Sequence, residues 1–292
     1  MTATCVLDIR NTLGESCFQD PRDGRLWWTD IEGACVYRLD ADSEATRFAL
    51  PGRAGFILPR REPGFVIGFK HQIAVTDAEL RVFTRIVDVE VEPAATRVND
   101  AAVDPFGGIV FGTFDETPDP AERRPIAAVY RLAPDGTLSR LFDGVTVSNG
   151  LAFSPEGDVM YFADTRDGTI RRFHVEQGFA SWHEIEPLAG PDVAPGRPDG
   201  AEVDSAGNYW SARVHGGCAV RLSPDGRVTA RVDLPVDRPT CVALGGPDLS
   251  TLFVTSLRGT RSAEDLARTP LAGGLFAAPV DVPGRPQRLA SL

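Results

Sequence analysis

The sequence predicts an all-β chain, a six-bladed β-propeller with four-stranded antiparallel blades around a central channel. Three observations carry this. A short turn built from Asp, Ser, Pro and Gly recurs six times, each time ahead of a strand of aromatic and β-branched residues. The turns begin near residues 20, 61, 104, 154, 204 and 246, a spacing of roughly 41 to 50 residues, which is the length of a propeller blade. Glycine and proline number 29 and 23 of 292 residues, and no long segment carries apolar residues at helical spacing.

The elements follow in order. The turn DPRDG at 20–24 precedes LWWTD at 26–30, and REPG at 61–64 precedes FVIG at 65–68. DPFG at 104–107 leads to IVFG at 109–112, and SPEG at 154–157 to VMYFA at 159–163. DSAG at 204–207 leads to NYWS at 208–211, and GPD at 246–248 to TLFVT at 251–255. A further strand follows most of these, as in CVYRL at 35–39, AVYRL at 128–132, TIRRF at 169–173 and AVRL at 219–222. Trp27, Trp28 and Trp210 read as blade core by period-2 placement, not as stacking platforms. CVLDI at 5–9 is expected to add the outer strand of the last blade and close the ring. One helix is expected at 262–269, with Ser262 as its N-cap and Pro270 just beyond it. Residues 188–198 read as a long loop within one propeller domain spanning 1–292, because the repeat continues on both sides.

Composition narrows the function. Lys and Arg total 30 against 41 Asp and Glu, a net charge of −11 with no basic run, so neither nucleic acid nor an anionic membrane is an expected partner. No stretch approaches the roughly 18 apolar residues that span a bilayer, and no secretory leader is visible. Five scattered cysteines, never in C-x-x-C spacing, point to reduced thiols in the cytoplasm rather than to a disulfide framework. The P-loop, dinucleotide-binding, nucleophile-elbow and H-E-x-x-H motifs are absent, and the four histidines at 71, 174, 183 and 215 show no metal-ligand spacing. His71 and His215 follow inner-strand positions and are candidates for the mouth of the channel.

What remains is polar text in four of the six blades, in each case five to seven residues ahead of the repeat turn. It reads LGE at 13–15, RVND at 97–100, VSNG at 147–150 and RPDG at 197–200. Equivalent places in a rotational repeat bring side chains to equivalent depth around one axis. Glu, Asn and Asp offer only oxygen ligands there, which suits a hard or borderline divalent cation. Asp100 and Asp204 read instead as residues that hold blade turns through backbone amides, and Cys17 as structural.

These clusters resemble those of the SMP-30/gluconolactonase/regucalcin family, six-bladed propellers that hydrolyse sugar lactones with a divalent metal. The resemblance rests on L-G-E at 13–15, R-x-N-D at 97–100, SNGLAFSPEG at 148–157, RPDGAEVD at 197–204 and GNYW at 207–210, and covers nearly the whole chain. PLAGGLFA at 270–277 is similar to bacterial sugar lactonases. The resemblance implies Glu15, Asn149 and Asp199 as ligands of one divalent cation, whether Ca, Zn, Mn, Mg or Fe(II). It implies Arg97 and Asn99 as lactone-binding residues, with Glu116, near the end of the GTF strand, as a further candidate. Two positions depart from the family text: Ser16-Cys17 replaces Gly-Pro after L-G-E, and Ala101 replaces Gly after R-x-N-D.

On that reading the cation polarises the lactone carbonyl, Asp199 takes a proton from the attacking water, and Arg97 and Asn99 position sugar hydroxyls. The partner is then a small sugar lactone of gluconolactone or pentonolactone type. Two alternatives from other classes stand beside it. One is a cation-binding regulatory protein with a vestigial lactonase site, which has no use for Arg97 and Asn99. The other is an interaction scaffold, which needs no ligand set.

Overall fold

The computed structural model of the protein describes residues 1–40, 44–90, 95–259 and 261–292. Its strands form six four-stranded antiparallel sheets. Five are consecutive in sequence, at residues 14–49, 54–88, 96–145, 148–189 and 197–233, and serve here as blades 1 to 5. Blade 6 combines strands of residues 239–279 with the outer strand Thr4–Leu7, which pairs antiparallel with Leu275–Pro279 as expected. The two ends of the chain thus share one sheet, which leaves no open edge between first and last blades.

Each blade begins with its inner strand: Gly14–Gln19, Ala54–Pro59, Thr96–Val103, Ser148–Phe153, Arg197–Val203 and Pro239–Gly245. Each packs against the inner strands of both flanking blades, so the six make a closed ring around the channel. The apolar core lies between blades. Trp28 and Trp210 are fully buried, with Trp28 stacked on Tyr37 at 5.4 Å.

The repeat turns lie at the far end of the inner strands. In blade 3, Asp104 Oδ1 accepts from the amides of Phe106 and Gly108, and Gly107 takes φ +86°, where a side chain would strike Ser291. Asp204 holds its turn the same way, accepting from Ala206 and Asn208. The helix spans Ala263–Arg268, and the hydroxyl of Ser262 accepts from the amide of Asp265 at its N-cap. The expected loop at 188–198 is shorter than predicted. The outer strand of blade 4 runs on through Ala189, and a 3-10 turn follows at Pro191–Val193, because the ladder to Ile170 persists as far as Ala189. Among the described residues no helix is long and apolar enough to cross a membrane.

Candidate functional site

Every inner strand changes register partway along its ladder with the next strand. The shifts fall between Glu15 and Phe18, Ala54 and Phe56, Val98 and Ala101, Asn149 and Ala152, Pro198 and Ala201, and Pro239 and Val242. Such bulges bend the strand and re-aim side chains. In blades 1, 3, 4 and 5 they fall at the polar clusters. A cavity of about 780 Å³ opens at the end of the channel where the inner strands begin. Glu15, Arg97, Asn99, Asn149 and Asp199 line it together, brought from four blades.

A chain of hydrogen bonds fixes the orientation of the amides. Thr165 donates its hydroxyl proton to the carbonyl of Pro198 at 2.9 Å, so its oxygen accepts from Nδ2 of Asn149 at 2.7 Å. Oδ1 of Asn149 therefore faces the other way and accepts from Nδ2 of Asn99 at 3.0 Å. Asn99 gives its second amide proton to the carbonyl of Ser148 at 2.8 Å and accepts from Arg97 Nη1 at 2.5 Å. Both amide protons of Asn99 are thus committed, and it offers the cavity an oxygen lone pair.

The carboxylates are poorly compensated. Asp199 is buried, and its Oδ1 has no hydrogen-bond partner. Desolvation first, then the charges of Glu15 and Asp100, hold its carboxyl well above the usual range. Desolvation likewise pushes Glu15 up to about 8, with Asp100 adding to the shift and Arg97 opposing it. Burial lowers the Arg97 guanidinium to about 10. Two carboxylates and the Asn149 amide oxygen on one cavity are a set of hard donors that a divalent cation would satisfy, and the orphaned Asp199 oxygen fits that use. Among the described residues no three His, Cys, Asp or Glu side chains form a metal cluster of their own, so the set depends on the amide.

Other predicted residues are placed differently. Glu116 lies outside the cavity lining. It bonds Arg53 Nη2 at 2.6 Å and Lys70 Nζ at 2.7 Å, and reaches the site only through Arg97, whose Nε is 3.7 Å away. His215 lines the mouth at φ +62°, whereas His71 does not line it. Asp100 does not hold its own blade's turn. Asp104 does that, while Asp100 accepts from the amides of Ala101 and of Leu151 in the next blade, facing the channel below the site. Burial pushes its carboxyl up to about 7.

The family signature described as SMP-30/gluconolactonase/LRE-like matches residues 13–258, most of the chain. The chain belongs to the SMP-30/gluconolactonase/LRE-like family. It is 38% identical over 287 residues to a 6-deoxy-6-sulfogluconolactonase of Pseudomonas putida, covering 97% of this chain and 96% of that one. It is 40% identical over 281 residues to an L-arabinolactonase of Azospirillum brasilense, covering 94% and 91%. The crystal structure of a calcium-binding protein, regucalcin, from Agrobacterium tumefaciens superposes with a TM-score of 0.89 at 27% identity, covering 100% of this chain and 98% of that one.

One departure from the family text, Ser16, has a local explanation. Ser16 takes φ +51°, a conformation that favours glycine, and its hydroxyl both accepts from the amide and donates to the carbonyl of Ile57 in blade 2. That pair of bonds to a neighbouring blade offsets the backbone cost. The lead-in segments to the site strands are held by residues that carried no recognised motif. Asp30 accepts from the amides of Thr12 and Leu13, and Asp164 from those of Thr146 and Val147. In blade 5 the polarity is reversed. Fully buried Arg213 donates to the carbonyls of Ala194, Pro195 and Gly196.

Proposed function

We propose that this protein is a metal-dependent hydrolase of carboxylic esters, a lactonase that opens a gluconolactone- or pentonolactone-type sugar lactone to the aldonic acid. The observation that carries the reading is Asp199 Oδ1, buried without a hydrogen-bond partner on a cavity shared with Glu15, Asn149 and the Arg97–Asn99 pair. Glu15, Asn149 and Asp199 would hold one divalent cation, of which Ca, Zn, Mn, Mg and Fe(II) all accept such ligands. When bound, the cation polarises the lactone carbonyl and stabilises charge developing on its oxygen.

The chain's own residues do the rest. Asp199 accepts the proton of the attacking water as the water oxygen bonds to the carbonyl carbon. As the tetrahedral intermediate collapses, the ring carbon–oxygen bond breaks and Asp199 returns the proton to the departing ring oxygen, which leaves as a hydroxyl. Arg97, anchored on Asn99 and the Val98 carbonyl, presents its guanidinium to sugar oxygens, and Asn99 accepts from a sugar hydroxyl. Free thiols at all five cysteines accord with a reducing compartment, the cytoplasm.

The test is hydrolysis of an aldonolactone panel near pH 6.5 by chelated protein, by protein with each metal restored, and by Asp199→Asn. Turnover should depend on added metal and fall on the order of 10²–10⁴-fold in the variant. Metal binding with no turnover of any lactone above buffer would instead support a cation-binding regulatory protein with a vestigial site.

A further inference from the structure

The mouth of the cavity carries a charge opposite to that of the molecule. Five arginines line it, Arg97, Arg123, Arg166, Arg197 and Arg238, against the two carboxylates Glu15 and Asp199 on its floor. The chain as a whole has a net charge of −11. Among the described residues Arg123, Arg166 and Arg197 form no ion pair; elsewhere some exposed arginines, such as Arg61 and Arg81, likewise form none, while Arg85, Arg140, Arg171 and Arg268 take carboxylate partners. Arg238 approaches Asp237 at 3.6 Å, but that carboxylate is already bonded to Arg261 at 2.7 Å.

The free guanidinium groups are nevertheless held in place. Arg166 donates to the carbonyl of Pro120 at 2.8 Å, Arg197 to that of Asp167 at 3.3 Å, and Arg123 to that of Thr117 at 3.1 Å. Arg123 and Arg97 also lie over the ring of Phe114, each 4.5 Å from its centroid. A guanidinium pinned through one N–H to a backbone carbonyl keeps its other donors free and loses little further freedom when it binds. A neutral polyol has no need of such a ring, since amide and hydroxyl groups serve its hydroxyls. A carboxylate, phosphate or sulfonate does, because it accepts paired charge-assisted hydrogen bonds from planar guanidinium groups.

We infer that the substrate is an anionic lactone, one that carries a carboxylate, phosphate or sulfonate remote from its ring carbonyl, held by Arg123, Arg166, Arg197 and Arg238 while the ring lies at Asp199. The inference rests on the lactonase reading and adds the charge of the substrate to it. The same ring also steers an anion to the mouth, so association weakens as salt screens it.

The test compares kcat/KM of the metal-loaded protein for glucono-δ-lactone with that for its 6-phosphorylated and 6-sulfonated counterparts and for a glucarolactone. At least one anionic lactone should exceed the neutral one by tenfold or more, and the arm that does so identifies the anion. That advantage should shrink between 20 and 200 mM salt. The anionic-to-neutral ratio should fall at least tenfold in Arg166→Gln with Arg197→Gln, two exposed positions whose change the fold tolerates. Equal or better turnover of the neutral lactone, with the ratio unmoved by the double variant, overturns the inference and leaves the lactonase reading standing. Turnover of no lactone at all overturns both.

Discussion

Glu202 shows how one residue ties the channel to pH. It sits in the inner strand of blade 5 below the site, its carboxylate facing the internal cavity and accepting from the amide of Leu244. Desolvation pushes its carboxyl from 4.5 up to about 8. Between those values the folded protein keeps a proton that the unfolded chain has released, so a rise in pH favours unfolding. The stability gained is complete below pH 4.5 and gone above pH 8. Glu202→Gln keeps the shape and the amide contact but cannot ionise. Thermal unfolding of chelated protein should show the variant matching the parent at pH 5 and exceeding it at pH 8.5. The gain there is on the order of 5 kcal/mol at most, each pH unit of displacement being worth about 1.4 kcal/mol. A constant difference at both pH values would show that the group does not titrate in this window. Glu202 lies within the RPDGAEVD text, yet nothing in that text marks it as a half-buried carboxylate without a cation beside it, since only the assembled channel desolvates it.

At the scale of the strand, the bulge decides which residue of a cluster meets the cavity. The four clusters are readable because each sits at the same distance ahead of its blade's turn. Within a cluster, period-two alternation predicts which side chains share a face, and a bulge breaks that alternation. Asn99 and Asp100 are neighbours in a bulge, and so both face the channel at different depths, whereas the sequence reads Asp100 as holding its own blade's turn. Thr165 and Arg213 escape a reading by motif for another reason: they lie on the second strand of a blade or just beyond it, and act on the inner strand from the side. Arg213 also carries a prediction. Arg213→Met keeps the stem's bulk but leaves the carbonyls of Ala194, Pro195 and Gly196 without their charged donor. The urea midpoint should fall by the equivalent of about 3 kcal/mol with the slope unchanged, since the loss is local and buried. A midpoint within error of the parent would show that these carbonyls find water instead.

Over the whole molecule, the repeat makes the ring legible and hides what breaks the symmetry. Of the mouth arginines, Arg97, Arg197 and Arg238 stand at the starts of inner strands, whereas Arg123 and Arg166 come from a long loop in blade 3 and a turn in blade 4 that no repeat relates. The segment after blade 6 has no repeat to reveal it either. Residues 284–292 run across the turn face of the propeller. Gly284 donates to Leu249, Ala290 to Pro59 and Ser291 to Gly107, while Ala290 accepts from Arg61 and Arg288 donates to the carbonyls of Ser154 and Pro155. The strap thus joins six backbone positions on blades 2, 3, 4 and 6. Residues 285–288 also wall a cavity of about 90 Å³ in the channel, opposite the mouth, that Cys17 and Cys241 share. Burial raises both thiols well above their ordinary value, so neither supplies thiolate to a reagent while the strap is in place. Removal of residues 284–292 opens that wall to water. At roughly 1 kcal/mol per hydrogen bond, it should also lower stability by several kcal/mol. An aromatic disulfide reagent should then modify two further thiols in the truncated but still folded protein, with Cys17→Ala and Cys241→Ala each removing one of them. Thiol counts equal to those of the intact chain would mean that the inner strands close the channel without the strap.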